Sequence, residues 1–87
     1  MIPELTADDF CHGSYQVLTP TKDKRCLVGW CRRVSYVDHF RLIDAIKEAN
    51  AITCPLHLWN DSHTFEECAE AWNKARPKLE KVFETQE

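Results

Sequence analysis

Five cysteines and four histidines in 87 residues raise thiol and metal chemistry as the first questions for this chain. Cys26 follows Lys24 and Arg25 and stands at the start of a segment with helical spacing, residues 26–34. Cationic neighbours and a helix N-terminus both favour a thiolate. His57 would be the base for such a nucleophile, with Asn60 or Asp61 orienting its ring. The chain order Cys, His, Asn/Asp is one that cysteine hydrolases use. Against this stands the size of the domain, which leaves little room for a substrate cleft.

Cys54 and His57 form a Cys-x-x-His half-site. Structural zinc needs four converging ligands, usually drawn from two such pairs. The second pair is missing: Cys26 and Cys31 point to different sides of a helix or a strand, and adjacent Cys11 and His12 diverge. A zinc site built from Cys11, Cys26, Cys54 and His57 therefore depends on tertiary folding to gather it. Otherwise the cysteines pack as small hydrophobes, and the expectation is a protein without a cofactor.

A further set of residues suits recognition rather than reaction. Trp, Tyr and Arg dominate the energetics of protein interfaces, and Trp30, Arg32, Arg33, Tyr36 and Trp59 supply all three types. Lys22, Lys24, Arg25, Arg32 and Arg33 make a basic cluster with Asp23 as its only acid. That cluster reads as a phosphate-binding patch or as a solvated face. The net charge of −3 is too mild to diagnose a partner, and nothing overall resembles a nucleic-acid-binding stripe.

The elements that must position these residues are mainly helical. Thr6, followed by Asp8 and Asp9, can cap a short first helix. Tyr15 to Leu18 reads as a strand, and Thr19 to Asp23 as a turn around Pro20. In residues 26–34, Leu27, Trp30, Cys31 and Val34 share a helical face; the apolar run "CLVGWC" leaves a strand paired with Tyr15–Leu18 as the alternative. Asp38 can cap a helix with Phe40, Ile43, Ile46 and Ala49 on one face, stopped at Asn50. "ITCPL" is then an extended connector, and Asn60 to Thr64 is the capped entry to a last helix. There Thr64 and Glu67 form a capping-box pair. Phe65, Cys68, Trp72, Ala75, Leu79 and Val82 form its apolar seam, with a kink or restart at Pro77.

The chain is expected to be a single domain, 1–87: a small bundle of three to four helices with a short N-terminal β-hairpin, or else an α+β fold. The N-terminus has no signal-peptide pattern and no stretch is long enough for a membrane span. An odd number of cysteines without an export signal suits reduced thiols in the cytoplasm.

Four short pieces in order, "FCHGSY", "RCLVGW", "LWND" and "TFEE", resemble a family of small uncharacterised proteins from actinobacteria and phages, a domain of unknown function. Cys11, Gly13, Cys26, Gly29, Trp59, Asn60, Asp61 and Thr64 are the matching positions. Here Ser14-Tyr15 and Trp30-Cys31 follow the glycines, where that family has small residues. The resemblance implies a helix after Cys26 and brings no activity with it. "TFEECAEAWNKA" also resembles the closing helix of small phage restriction-alleviation proteins, without their upstream Cys-x-x-Cys pairs. Together these likenesses imply a phage or mobile-element setting. The function expected is a protein-binding module, an inhibitor of a host defence complex, with the cysteine hydrolase and the zinc module as alternatives.

Overall fold

The computed structural model describes residues 2–84. Four α-helices and one two-stranded hairpin make up the regular structure of those residues, apart from a 3₁₀ turn over Ala7–Asp9. The chain is mainly α with a short N-terminal β-hairpin.

Helix α4, Phe65–Glu84, is the spine. Its start is the capping box legible in the sequence: Thr64 N–H donates to Glu67 Oε1 at 2.9 Å, and Glu67 N–H donates to Thr64 Oγ1 at 3.1 Å. Cys68, Trp72, Ala75 and Leu79, at steps of four, three and four, are wholly buried along one seam. The sequence suggests a kink or restart at Pro77, but the helix runs unbroken through it. Pro77 is exposed, and its missing amide removes only the donor for the Asn73 carbonyl.

Helix α2, His39–Ala49, packs along α4 and turns His39, Leu42 and Ile46 inward. This corrects the predicted face by a rotation: Ile46 belongs to it, Ile43 and Ala49 are half-buried, and Phe40 points out with 69% of its surface exposed. Asn50 ends the helix as expected. Its side-chain amide donates to Ile46 O and to Ala71 O, at 3.0 and 3.1 Å, which also ties α2 to α4.

Helix α1, Leu27–Val34, decides the ambiguous segment in favour of helix and buries Leu27, Val28 and Cys31 against α2 and α3. Helix α3, Leu56–Ser62, is a helix the sequence reading assigned to connector and cap. Pro55 immediately precedes it, where its fixed φ starts a helix rather than extending a strand.

The hairpin pairs β1, Gln16–Leu18, with β2, Asp23–Arg25, in the register Gln16↔Arg25, Val17↔Lys24, Leu18↔Asp23. Its basic side chains are taken up by nearby acids: Lys22 contacts Asp9 at 3.0 Å, Lys24 contacts Asp8 at 3.4 Å, and Arg25 contacts Asp23 at 3.1 Å. Ahead of the hairpin, residues 2–5 lie along α4. Leu5 exchanges two hydrogen bonds with the Asn73 carboxamide, at 3.1 and 2.7 Å, and the Trp72 indole donates to Pro3 O at 2.8 Å.

One glycine is fixed by close approach. A Cβ on Gly29 of α1 would lie 2.1 Å from the Tyr15 carbonyl oxygen, which also accepts from Cys26 N–H. Helix propensity alone would make Gly29→Ala stabilising by about 1 kcal/mol. The overlap with backbone predicts the opposite sign, a loss of about 2–3 kcal/mol in urea unfolding. Gly29→Ala with wild-type or greater stability would contradict the packing described.

Candidate functional site

Helix α1 begins at Cys26, whose sulfur accepts the Gly29 amide at 3.4 Å. The Cys-x-x-Gly spacing is thus an N-cap on a helix whose third residue must be small. The next orphan amide, Leu27 N–H, donates at 3.0 Å to Asn60 Oδ1, reaching across from α3. Asn60 is wholly buried; its Nδ2 donates to Cys11 O at 3.0 Å and to Asp61 Oδ1 at 3.2 Å. Asp61 in turn accepts the Gly13 amide at 3.0 Å, where φ is +77°. The second and third residues of the Trp-Asn-Asp stretch, Asn60 and Asp61, are therefore brackets for the loop at residues 11–13.

This bracketing opens a pocket of about 260 Å³ lined by Gly13, Ser14, Tyr15, Cys26, His57 and Asp61. Cys26, His57 and Asp61 do share it. Among the described residues, however, no hydrogen bond joins His57 to the Cys26 sulfur or to Asp61, and Asp61 is engaged by Gly13 and Asn60 instead. Burial pushes the Cys26 thiol up; the Gly29 and Val28 amides oppose this, and the Asp61 carboxylate adds to it. The Gly13 amide holds the Asp61 carboxyl below the usual range. The arrangement therefore keeps a neutral, capping thiol beside a carboxylate, rather than a thiolate beside an imidazolium.

The four residues of the metal alternative are not all brought together: Cys26 and His57 share the pocket, and Cys54 does not line it. Cys11 and Cys26 are buried, while Cys54 is exposed and lies outside the lining of this pocket. Among the described residues, no three His, Cys, Asp or Glu side chains are grouped as a metal ion would need. Cys31 and Cys68 are packed in the core, the thiol of Cys68 pushed up to about 12 by burial.

The five recognition residues separate. Trp30 is half-buried, with its indole donating to Asp9 O at 2.9 Å, and it shares a shallow groove with Arg33 on that side. Trp59 is half-buried and stacks on His63 at 3.7 Å. Arg32 and Tyr36 do meet, in company the sequence did not announce. The Arg32 guanidinium sits 4.7 Å from the Tyr15 ring centroid and 5.9 Å from that of Tyr36. From Tyr36 the row continues through His39, at 5.3 Å, to Phe40, at 4.1 Å. The sequence pattern places Tyr15 in a strand and Phe40 on the core face of α2, and neither is marked there as a contact residue. The local signal available was Tyr36-Val37 just ahead of α2, two large side chains in a turn where no core position is offered.

Comparison with known proteins gives no match, whether to family models, to curated proteins or to solved structures. Among the described residues no helix is long and apolar enough to cross a membrane.

The state of Cys26 is directly measurable with a disulfide thiol reagent on the folded protein at pH 8. Exposed Cys54 should supply the fast phase, with Cys26 slower by about a hundredfold or more. The fast phase should vanish in Cys54→Ser. A fast phase that survives there and is lost in Cys26→Ser would restore Cys26 as an activated nucleophile.

Proposed function

We propose that the protein is a protein-binding module whose contact face is the row formed by Tyr15, Arg32, Tyr36, Val37 and Phe40. The observation that carries this is the exposure of three large apolar groups around the start of α2: 70% for Tyr36 and 88% for Val37 in the turn before it, and 69% for Phe40 in its first turn. Scattered apolar side chains on a surface are ordinary, but a continuous group with an arginine stacked into it has the composition of an interface core. The face is also pre-positioned, since the Tyr15 backbone is held against Gly29 and the Arg32 guanidinium lies over the rings of Tyr15 and Tyr36. Preorganised anchors lose little side-chain freedom on association.

The finer form of this proposal is an inhibitor of a host defence complex, encoded by a phage or mobile element and acting in the host cytoplasm. Its support is the resemblance of the four short sequence pieces and of the last helix. A second reading, a cysteine-dependent hydrolase using Cys26, His57, Asn60 and Asp61, is favoured by the shared pocket and opposed by the raised thiol.

Immobilised protein and its Tyr36→Ala/Phe40→Ala variant, exposed to lysate of the cell in which the chain is made, test the face. Both side chains are exposed, so the variant should keep its unfolding midpoint. Wild type should retain a discrete partner, and the variant should recover about tenfold less or lower still. Equal recovery by both proteins, or none above blank resin, would overturn the proposal.

A further inference from the structure

The contact face is not uniform, and its charged part points to what the partner presents. Between α1, α2 and the start of α3 runs a groove of about 240 Å³, lined by Tyr15, Arg32, His39, Phe40, Lys47 and His57 among others, and by no acidic residue. Among the described residues Lys22, Lys24, Arg25, Arg41 and Lys78 pair with carboxylates, whereas other basic side chains do not. Arg32 and Lys47 pair with no carboxylate among the described residues, and both stand at this groove.

Two further atoms mark the same place. Arg32 Nε and His39 Nε2 are the buried side-chain nitrogens or oxygens left without a hydrogen-bond partner among the described residues. His39 is 6% exposed, and its Nδ1 lies 2.6 Å from Tyr36 O, which can only accept, so Nδ1 carries a proton. The remaining nitrogen, Nε2, is left with no partner among the described residues. Native folds rarely leave buried polar atoms unmet. Here two of them belong to side chains that line one groove, beside an unpaired ammonium.

We infer that this groove reads a carboxylate: an Asp or Glu side chain on an exposed segment of the partner protein, seated at Arg32 and Lys47, with an apolar neighbour on Phe40. The inference rests on the protein-binding reading above and names the chemistry of its partner. Arg32 is suited to the role because its planar guanidinium is held between two tyrosine faces, which fixes the fork before the carboxylate arrives. The neighbouring pocket contributes polarity. Asp61 lies on the far side of Tyr15 and His57, the two residues common to both cavities, so the acid is directed toward the α2 end and away from that carboxylate.

The probe is an array of immobilised ten-residue peptides of matched apolar content, carrying Glu, Gln or Lys at one fixed position beside Leu. The best-retained Glu peptide and its Gln isostere are then measured in solution against wild type, Arg32→Gln and Tyr36→Ala/Phe40→Ala. The Glu peptide should bind about tenfold more tightly than the Gln isostere, the scale of one charge-assisted pair. Arg32→Gln should remove that preference by costing the Glu peptide about tenfold more affinity than it costs the Gln peptide, an uneven loss that a merely misfolded variant would not give. Equal binding of Glu and Gln peptides, or equal loss of both in Arg32→Gln, would overturn the carboxylate inference. If Gln or Lys peptides bind as well and are lost in Tyr36→Ala/Phe40→Ala, the protein-binding face stands and only its acid preference falls. If no peptide is retained, this inference falls, and the lysate capture decides the face independently.

Discussion

The structure depends on one buried carboxamide. Asn60 accepts from the first amide of α1 and donates to the carbonyl of Cys11, and its own backbone carbonyl accepts the Cys68 thiol of α4 at 3.6 Å. Helix α3, which carries it, is seven residues long and too short to be stable by itself. It persists because one of its side chains satisfies groups on segments that would otherwise be left orphaned, each at a cost of about 1–3 kcal/mol. A carboxamide is suited to this position because it offers an acceptor and two donors without a charge to bury. Asp at the same place would have to keep a buried carboxylate and would lose the donors to Cys11 and Asp61.

From that bond the face follows in order. Fixing the start of α1 sets the height of Gly29, whose missing Cβ lets the Tyr15 carbonyl lie against the helix. Tyr15 then stands where Arg32, one turn further along α1, can lie over its ring. Arg32 reaches Tyr36 on the other side, and the tight turn into α2 leaves Tyr36, Val37 and Phe40 outward while Leu42 and Ile46 fill the core. The polar bracket and the aromatic row are thus two ends of one chain of contacts. Cys11, Cys26 and Cys68 take part in it through a carbonyl, a capping sulfur and a buried thiol, which explains the Cys26 position without requiring a reactive thiol.

Local chemistry made part of this legible and left part of it hidden. The Thr64–Glu67 box, the α4 seam and the stop at Asn50 depend on neighbours within four residues, and each can be read directly; the segment after Cys26 suits helix or strand locally, and distant Asn60 caps its first amide. The Asn60-Asp61-Ser62 run misleads because its residue types suit a helix cap, whereas Asn60 is used across 33 positions to Leu27 and 49 to Cys11. Phe40 misleads for a different reason. Two overlapping apolar stripes run along α2, and only contact with α4 chooses the one containing Leu42 over the one containing Phe40. The convergence of Cys26, His57 and Asp61 on one pocket is a tertiary fact, and so is its failure to form a hydrogen-bonded relay.

The most direct measurement is native-state hydrogen exchange at the Leu27 amide. First-turn amides have no partner within their own helix and ordinarily exchange through small local openings. If Asn60 holds α1 as described, Leu27 should exchange only with global unfolding, at the free energy found for Ala75 in the interior of α4. Exchange of Leu27 at the rate of the exposed first-turn amide of Glu66 would contradict the account.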